Sequence, residues 1–193
     1  MKHLIVYAHP NPQSFNHAIL ETLQGQLQEK GHEVRVRDLY AINFNPILAA
    51  NDFISFSQGN TPADIKTEQE HITWADVITF IYPVWWTGLP AILKGYVERV
   101  FSQGFAFTYG PNGVDKFLTG KKGLLLSTMG NSKENYDASG MFEAMKKTTD
   151  AGIFDFTGIE TVEHAFYTSV PSVDNETRTQ YLEEVKELVN RLF

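Results

Sequence analysis

Three short segments concentrate residue types able to hold and stabilise a charged, planar ligand. The first, His9-Pro10-Asn11-Pro12-Gln13-Ser14-Phe15-Asn16, separates an apolar run from an amphipathic stretch. Ser14 has the residue type of a helix N-cap. Its hydroxyl, the Asn16 amide and the free backbone amides beyond it together make an anion site. The second, Pro83-Val84-Trp85-Trp86-Thr87-Gly88-Leu89-Pro90, sets two adjacent tryptophans in a loop hemmed by proline and glycine. A rigid aromatic pair there suits a wall for a planar ring. In the third, Ser127-Thr128-Met129-Gly130-Asn131-Ser132, small residues let backbone amides approach a ligand closely. Tyr136, just beyond, could donate a hydrogen bond to developing negative charge. Phe105-Ala106-Phe107-Thr108-Tyr109 adds further aromatic surface. The combination suits a flat aromatic cofactor with a phosphate tail, of which flavin is the obvious example.

Other chemistries find less support. The chain has no cysteine, which excludes a thiol nucleophile, a thiol redox pair and thiolate metal sites, so any electron chemistry falls to a bound cofactor. There is no Gly-x-Gly-x-x-Gly, no Walker lysine and no Gly-x-Ser-x-Gly elbow. His3, His9, His17, His32, His71 and His164 are scattered without metal-ligand spacing, and no metal is expected. A net charge of -7 argues against a nucleic-acid partner, which needs clustered Lys and Arg. Five apolar residues between His3 and His9 are too few for a signal-peptide core, and no run approaches a membrane span. A cytoplasmic protein is expected.

The elements that must position these loops are legible as alternating runs. His3–Ala8, Asp76–Tyr82 and Gly123–Thr128 are apolar throughout, as strands buried on both faces are. Glu33–Asp38 alternates like an edge strand, and Glu160–Phe166 is a fifth strand. Helices are expected from Ser14 to Gly31, over Leu89–Phe101 with Pro90 in the first turn, over Ser139–Thr149 and over Asn175–Leu192. Ile42–Thr67 is too long for a bare loop and is either functional or holds short structure. The 193 residues, 42% of them hydrophobic, suit one domain spanning 1–193. An open α/β sheet binds ligands beyond the carboxyl ends of its strands, where the three segments fall.

At these loops the sequence resembles the flavodoxin-like NAD(P)H:quinone oxidoreductases, the DT-diaphorase-like group, along nearly the whole chain. The likeness is carried by Ser14-Phe15-Asn16, by Asp38-Leu39-Tyr40 with Asn43-Phe44-Asn45-Pro46, and by Phe105–Tyr109. It is most specific in Pro90-Ala91-Ile92-Leu93-Lys94-Gly95 continuing to Glu98-Arg99-Val100-Phe101. The resemblance implies a doubly wound, five-stranded parallel sheet of order 2-1-3-4-5 and a homodimer with sites at its interface. It implies hydride transfer from NAD(P)H to flavin N5, then to a quinone or similar small aromatic acceptor, in a ping-pong cycle. By similarity His9, Ser14, Phe15, Asn16 and Ala18 hold the ribityl and phosphate part. Pro83, Val84, Trp85 and Trp86 edge the isoalloxazine, with Thr128, Met129, Gly130 and Asn131 on its other side. Tyr136 is the implied catalytic residue, stabilising charge at the pyrimidine edge, while Trp86, Phe107, Tyr109 and Phe142 line the acceptor site. Asn16, Glu98 and Arg178 match positions connected with an FAD tail, so FAD is the implied cofactor and FMN the alternative.

Two departures stand out. The animal enzymes pair the tyrosine with a histidine six residues on, where this chain has Phe142. The Ile42–Thr67 segment is also shorter than theirs. A flavin- or nucleotide-binding regulatory subunit of a transport system would share the same fold and loops. A one-electron carrier fits less well, since it needs no substrate pocket.

Overall fold

The apolar runs form the interior of a five-stranded sheet in the computed structural model, which describes every residue from Met1 to Phe193. Its strands are β1 (Lys2–Tyr7), β2 (Glu33–Asp38), β3 (Val77–Pro83), β6 (Lys122–Thr128) and β7 (Glu160–Tyr167). They lie in the order β2-β1-β3-β6-β7, all parallel. Counted within the sheet this is 2-1-3-4-5, as the resemblance implied. β3 is buried at every position, because helices cover both faces and leave no solvated side to favour polar residues. β2 at the edge alternates instead.

Alternate side chains along β1 enter two separate cores. Ile5 and Tyr7 join Leu23 and Leu27 of α1 (Phe15–Glu29) and Val185 and Val189 of α7 (Asn175–Leu192). Leu4, Val6 and Ala8 face the other side, with Ile72 of α3 (Ala63–Trp74) and Leu93, Tyr96 and Val100 of α4 (Ala91–Val100). That second core also takes in Tyr136 of α5 (Lys133–Ser139) and Met145 of α6 (Met141–Lys146). Gly123 permits this packing: a β-carbon there would collide with the Phe154 ring.

The structure fills in the open 42–67 stretch, divides one expected helix and adds a hairpin. The 42–67 stretch holds α2 (Ala50–Ser57) and the start of α3. They are tied down by Arg99, which donates to Asp52 and Asp64 and to the Asn45 carbonyl. The helix expected over Ser139–Thr149 is three pieces: Gly140 adopts a left-handed conformation between α5 and α6, and a π-helix follows over Lys147–Asp155. Phe107–Gly110 and Gly113–Lys116 form β4 and β5 of a separate antiparallel hairpin.

Candidate active site

The order in which strands are added reverses at β1, whose neighbours β2 and β3 lie on opposite sides. The carboxyl ends of β1, β3, β6 and β7 therefore open onto a shared crevice. A cleft of about 340 Å³ lies there.

One wall is the start of α1. Ser14 caps the helix, its Oγ accepting the His17 N–H at 3.2 Å. The Phe15 and Asn16 amide hydrogens make no backbone bond, as the first turn of a helix requires, so both remain available to an anion. His9 stands beside them. Its Nδ1 accepts from the Asn11 N–H at 3.0 Å, which places the ring proton on Nε2 as a third donor. Burial holds the His9 pKa below the usual histidine value, with the Asn11 bond opposing, so this donor is neutral.

Asn16 closes the back of the cleft. Its Nδ2 donates to Thr128 Oγ1 at 2.7 Å, while its Oδ1 is buried without a partner. An orphaned polar atom at a cleft is what a bound ligand with hydrogen-bond donors would satisfy.

Pro83, Val84 and Trp85 form the second wall, and Thr128, Met129 and Gly130 the third. The two tryptophans are not side by side. Trp85 lines the cleft with His9, ring centroids 6.0 Å apart, whereas Trp86 projects fully into solvent. The cause is a tight reversal: Trp85 and Gly88 exchange backbone hydrogen bonds of 3.2 and 3.1 Å. Trp86 and Thr87 between them have φ of 51° and 59°, a strained region for both residue types.

Residues 9, 14, 15 and 16 thus converge with residues 83, 84, 85, 128, 129 and 130. Ala18 lies four residues beyond the Ser14 cap on α1, and Asn131 turns toward Ser132 and Asn135; neither lines the cleft. Tyr136 is buried on α5, stacked on Phe142. Phe107 and Tyr109 meet edge-on in the β4–β5 hairpin. Glu98 pairs with Lys94 on the exposed side of α4. Arg178 donates to the Val170 carbonyl at 3.0 Å and so props the fourth wall, Val170 and Pro171. That wall was missed from the sequence, although a Val-Pro just beyond the fifth strand was a readable signal. No group of three or more acidic or histidine side chains is placed to hold a metal.

Residues 1–189 match the profile of a family described by its flavodoxin-like fold. The chain belongs to this flavodoxin-like family. Among its flavodoxin-like relatives, an uncharacterized NAD(P)H oxidoreductase of Haemophilus influenzae is 38% identical over 184 residues, covering 95% of this chain and 91% of that one. Rat NAD(P)H dehydrogenase [quinone] 1 is 35% identical, with 93% and 73% covered. Of solved structures, the NAD(P)H:quinone oxidoreductase from Methanothermobacter marburgensis superposes with a TM-score of 0.89 at 30% identity. That match covers 97% of this chain and 96% of that one. The resemblance read from the Pro90–Phe101 block is borne out at the level of the family.

Proposed function

We propose that the protein is a flavin-dependent NAD(P)H oxidoreductase that reduces quinones or related small aromatic acceptors. The observation that carries this reading is the cleft itself, which sets anion donors at one end and an aromatic ring at the other. Relatives named as NAD(P)H:quinone oxidoreductases over nearly the same length support it.

When bound, a flavin would accept a hydride from NAD(P)H and deliver it to the acceptor, chemistry that no side chain of this chain supplies. The chain's own groups bind and orient. The Phe15 and Asn16 amides and His9 Nε2–H hold an anionic tail, and the α1 dipole adds to them. Asn16 Oδ1 receives a donor from the same ligand. Trp85, Pro83 and Met129 exclude water from a planar ring, and the Tyr136 hydroxyl offers a proton toward charge at the ring edge. FAD is the form we favour over FMN, with Arg178 and Glu98 serving its far half. Donor and acceptor take turns at one ring face, which makes the cycle ping-pong.

The active unit is a homodimer in this reading. Trp86, Tyr109, Phe53 and Ile54 are exposed apolar side chains that a second copy would cover. No helix is long and apolar enough to cross a membrane, and a cytoplasmic location for this one flavodoxin-like domain, 1–193, fits the absence of cysteine. Releasing the bound flavin and separating it chromatographically identifies the cofactor. Steady-state assay with NADH, NADPH and a set of quinones then tests the activity. A chain that takes up neither FAD nor FMN would overturn the proposal.

A further inference from the structure

The phenol of Tyr136 has no hydrogen bond within the chain and is not sealed from solvent, although its ring is buried. What packs on the ring therefore decides where its O–H points. Phe142 stacks on it with centroids 5.3 Å apart and planes at 29°. Phe166 backs Phe142 at 4.8 Å, and His164 stacks on Phe166 at 4.0 Å and 28°. The four rings make a continuous column, and its base is pinned on both sides. His164 Nδ1 lies 2.7 Å from the Asp150 carboxylate, and its Nε2 lies 3.2 Å from the Tyr82 hydroxyl.

Burial, followed by the charge of Asp150, holds the Tyr82 pKa well above the ordinary tyrosine value. The Asp150 carboxylate can only accept, so Nδ1–H donates to it, and Nε2 meets the Tyr82 hydroxyl. With both nitrogens engaged, the imidazole cannot turn without breaking a buried hydrogen bond. Asp150 reaches it from the π-helix Lys147–Asp155. Such helices are rare, short and concentrated at functional sites, and this one runs nine residues.

We infer that His164 is the positioning residue for Tyr136, acting through Phe166 and Phe142. A column of apolar rings alone could slide, but a ring fixed by Asp150 and Tyr82 cannot. The inference rests on the proposed function only for what Tyr136 then does, namely present its hydroxyl to a bound ring.

The test labels the full chain with 3-fluorotyrosine and assigns the Tyr136 and Tyr82 fluorine signals with Tyr136→Phe and Tyr82→Phe. His164→Leu and Asp150→Ala should each shift or broaden the Tyr136 signal, although Tyr136 touches neither residue. Asp150→Asn keeps an acceptor for Nδ1–H and should leave the signal in place. Asp150→Ala serves as the second variant if His164→Leu does not fold. In the flavin-loaded enzyme, His164→Leu and Asp150→Ala should lower kcat roughly tenfold with little change in KM for NAD(P)H, as expected for a misaimed group. A Tyr136 signal unmoved in the folded variants overturns the inference. A moved signal with unchanged kcat supports the positioning by His164 and counts against the role proposed for the Tyr136 hydroxyl at the bound ring. The fluorine measurement needs no cofactor, so a chain that binds no flavin counts against the proposed function while this arm still decides the role of His164.

Discussion

Asn16 and Thr128 join across the cleft: Asn16 Nδ2, in the first turn of α1, donates to Thr128 Oγ1 at the end of β6 at 2.7 Å. The bond joins the segment after β1 to the end of β6, strands separated in the sheet by β3, and both residues are buried. It fixes the spacing between the start of α1 and the opposite wall. The other half of the same amide, Oδ1, is left without a partner.

Asn16→Ala should therefore have two separable effects. Leaving Thr128 unpaired costs about 1–3 kcal/mol in chemical denaturation of the flavin-free chain. Losing Oδ1 should also raise the flavin dissociation constant roughly tenfold, measured by fluorescence titration. Unchanged flavin affinity at reduced stability would make Asn16 a fold residue alone.

The Trp86-Thr87 turn carries strain that its sequence does not relieve. Both residues sit at positive φ, where a type I′ turn favours Asn-Gly. Replacing the pair with Asn-Gly should raise stability by about 1–2 kcal/mol and lower quinone turnover, because Trp86 is lost from the mouth of the site. A thermal melt and a steady-state assay check the two directions. A destabilised variant would show that the reversal is held by something other than its backbone.

Arg99 is the anchor of the segment before α4. It pairs with buried Asp52 through Nε at 2.9 Å and with Asp64 through a second nitrogen at 2.6 Å, and it holds the Asn45 carbonyl. The guanidinium hydrogen bond keeps the Asp52 carboxyl below its usual pKa despite burial. Arg99→Met strands that carboxylate and should cost about 3–5 kcal/mol in urea denaturation. Adding Asp52→Leu should recover much of the loss, and a failure to recover would assign it to packing instead.

His3 gives the fold an acid limit. It is fully buried with both ring nitrogens unpartnered, against His32 and Phe193. Burial first, then the charges of His32 and the N-terminal ammonium, lower its pKa to about 4, with Asp76 opposing. Because the folded value lies below the unfolded 6.5, the unfolded chain binds the proton more readily. The His3 contribution is complete above about pH 6.5 and shrinks as pH falls toward 4, by up to about 1.4 kcal/mol per pH unit. His9, His32 and His71 are shifted the same way, so the informative quantity is the difference between chains. His3→Leu should flatten the stability profile between pH 6.5 and 4, and parallel profiles would contradict the assignment.

The strands were legible because burial on both faces leaves apolar runs such as Asp76–Tyr82, and the outer helices because Ser14 and Pro90 mark their starts. The first loop could be read because Ser14 is there to serve a free backbone amide at the start of α1. What escaped had no periodic signature. α2 follows Ala49, an N-cap with no side-chain bond, and α5 is short and largely exposed. A π-helix follows neither the strand nor the α-helix period. The separation of Trp85 from Trp86 was hidden because it depends on two unusual φ angles rather than on residue type. The His164 column was hidden as well, because nothing in the spacing of the sequence sets Phe142 of α6 against Phe166 of β7.

In the proposed cycle one cleft serves a nicotinamide donor and a quinone acceptor in turn through a bound flavin. The direct measurement is an anaerobic spectral titration of the flavin-loaded protein. Stoichiometric NADH or NADPH should bleach the yellow band, and a quinone added after the nicotinamide product is removed should restore it. Both half-reactions should be fast enough to account for kcat. A flavin that the nicotinamide leaves oxidised, or one that is bleached and then not reoxidised by any quinone, would contradict the account.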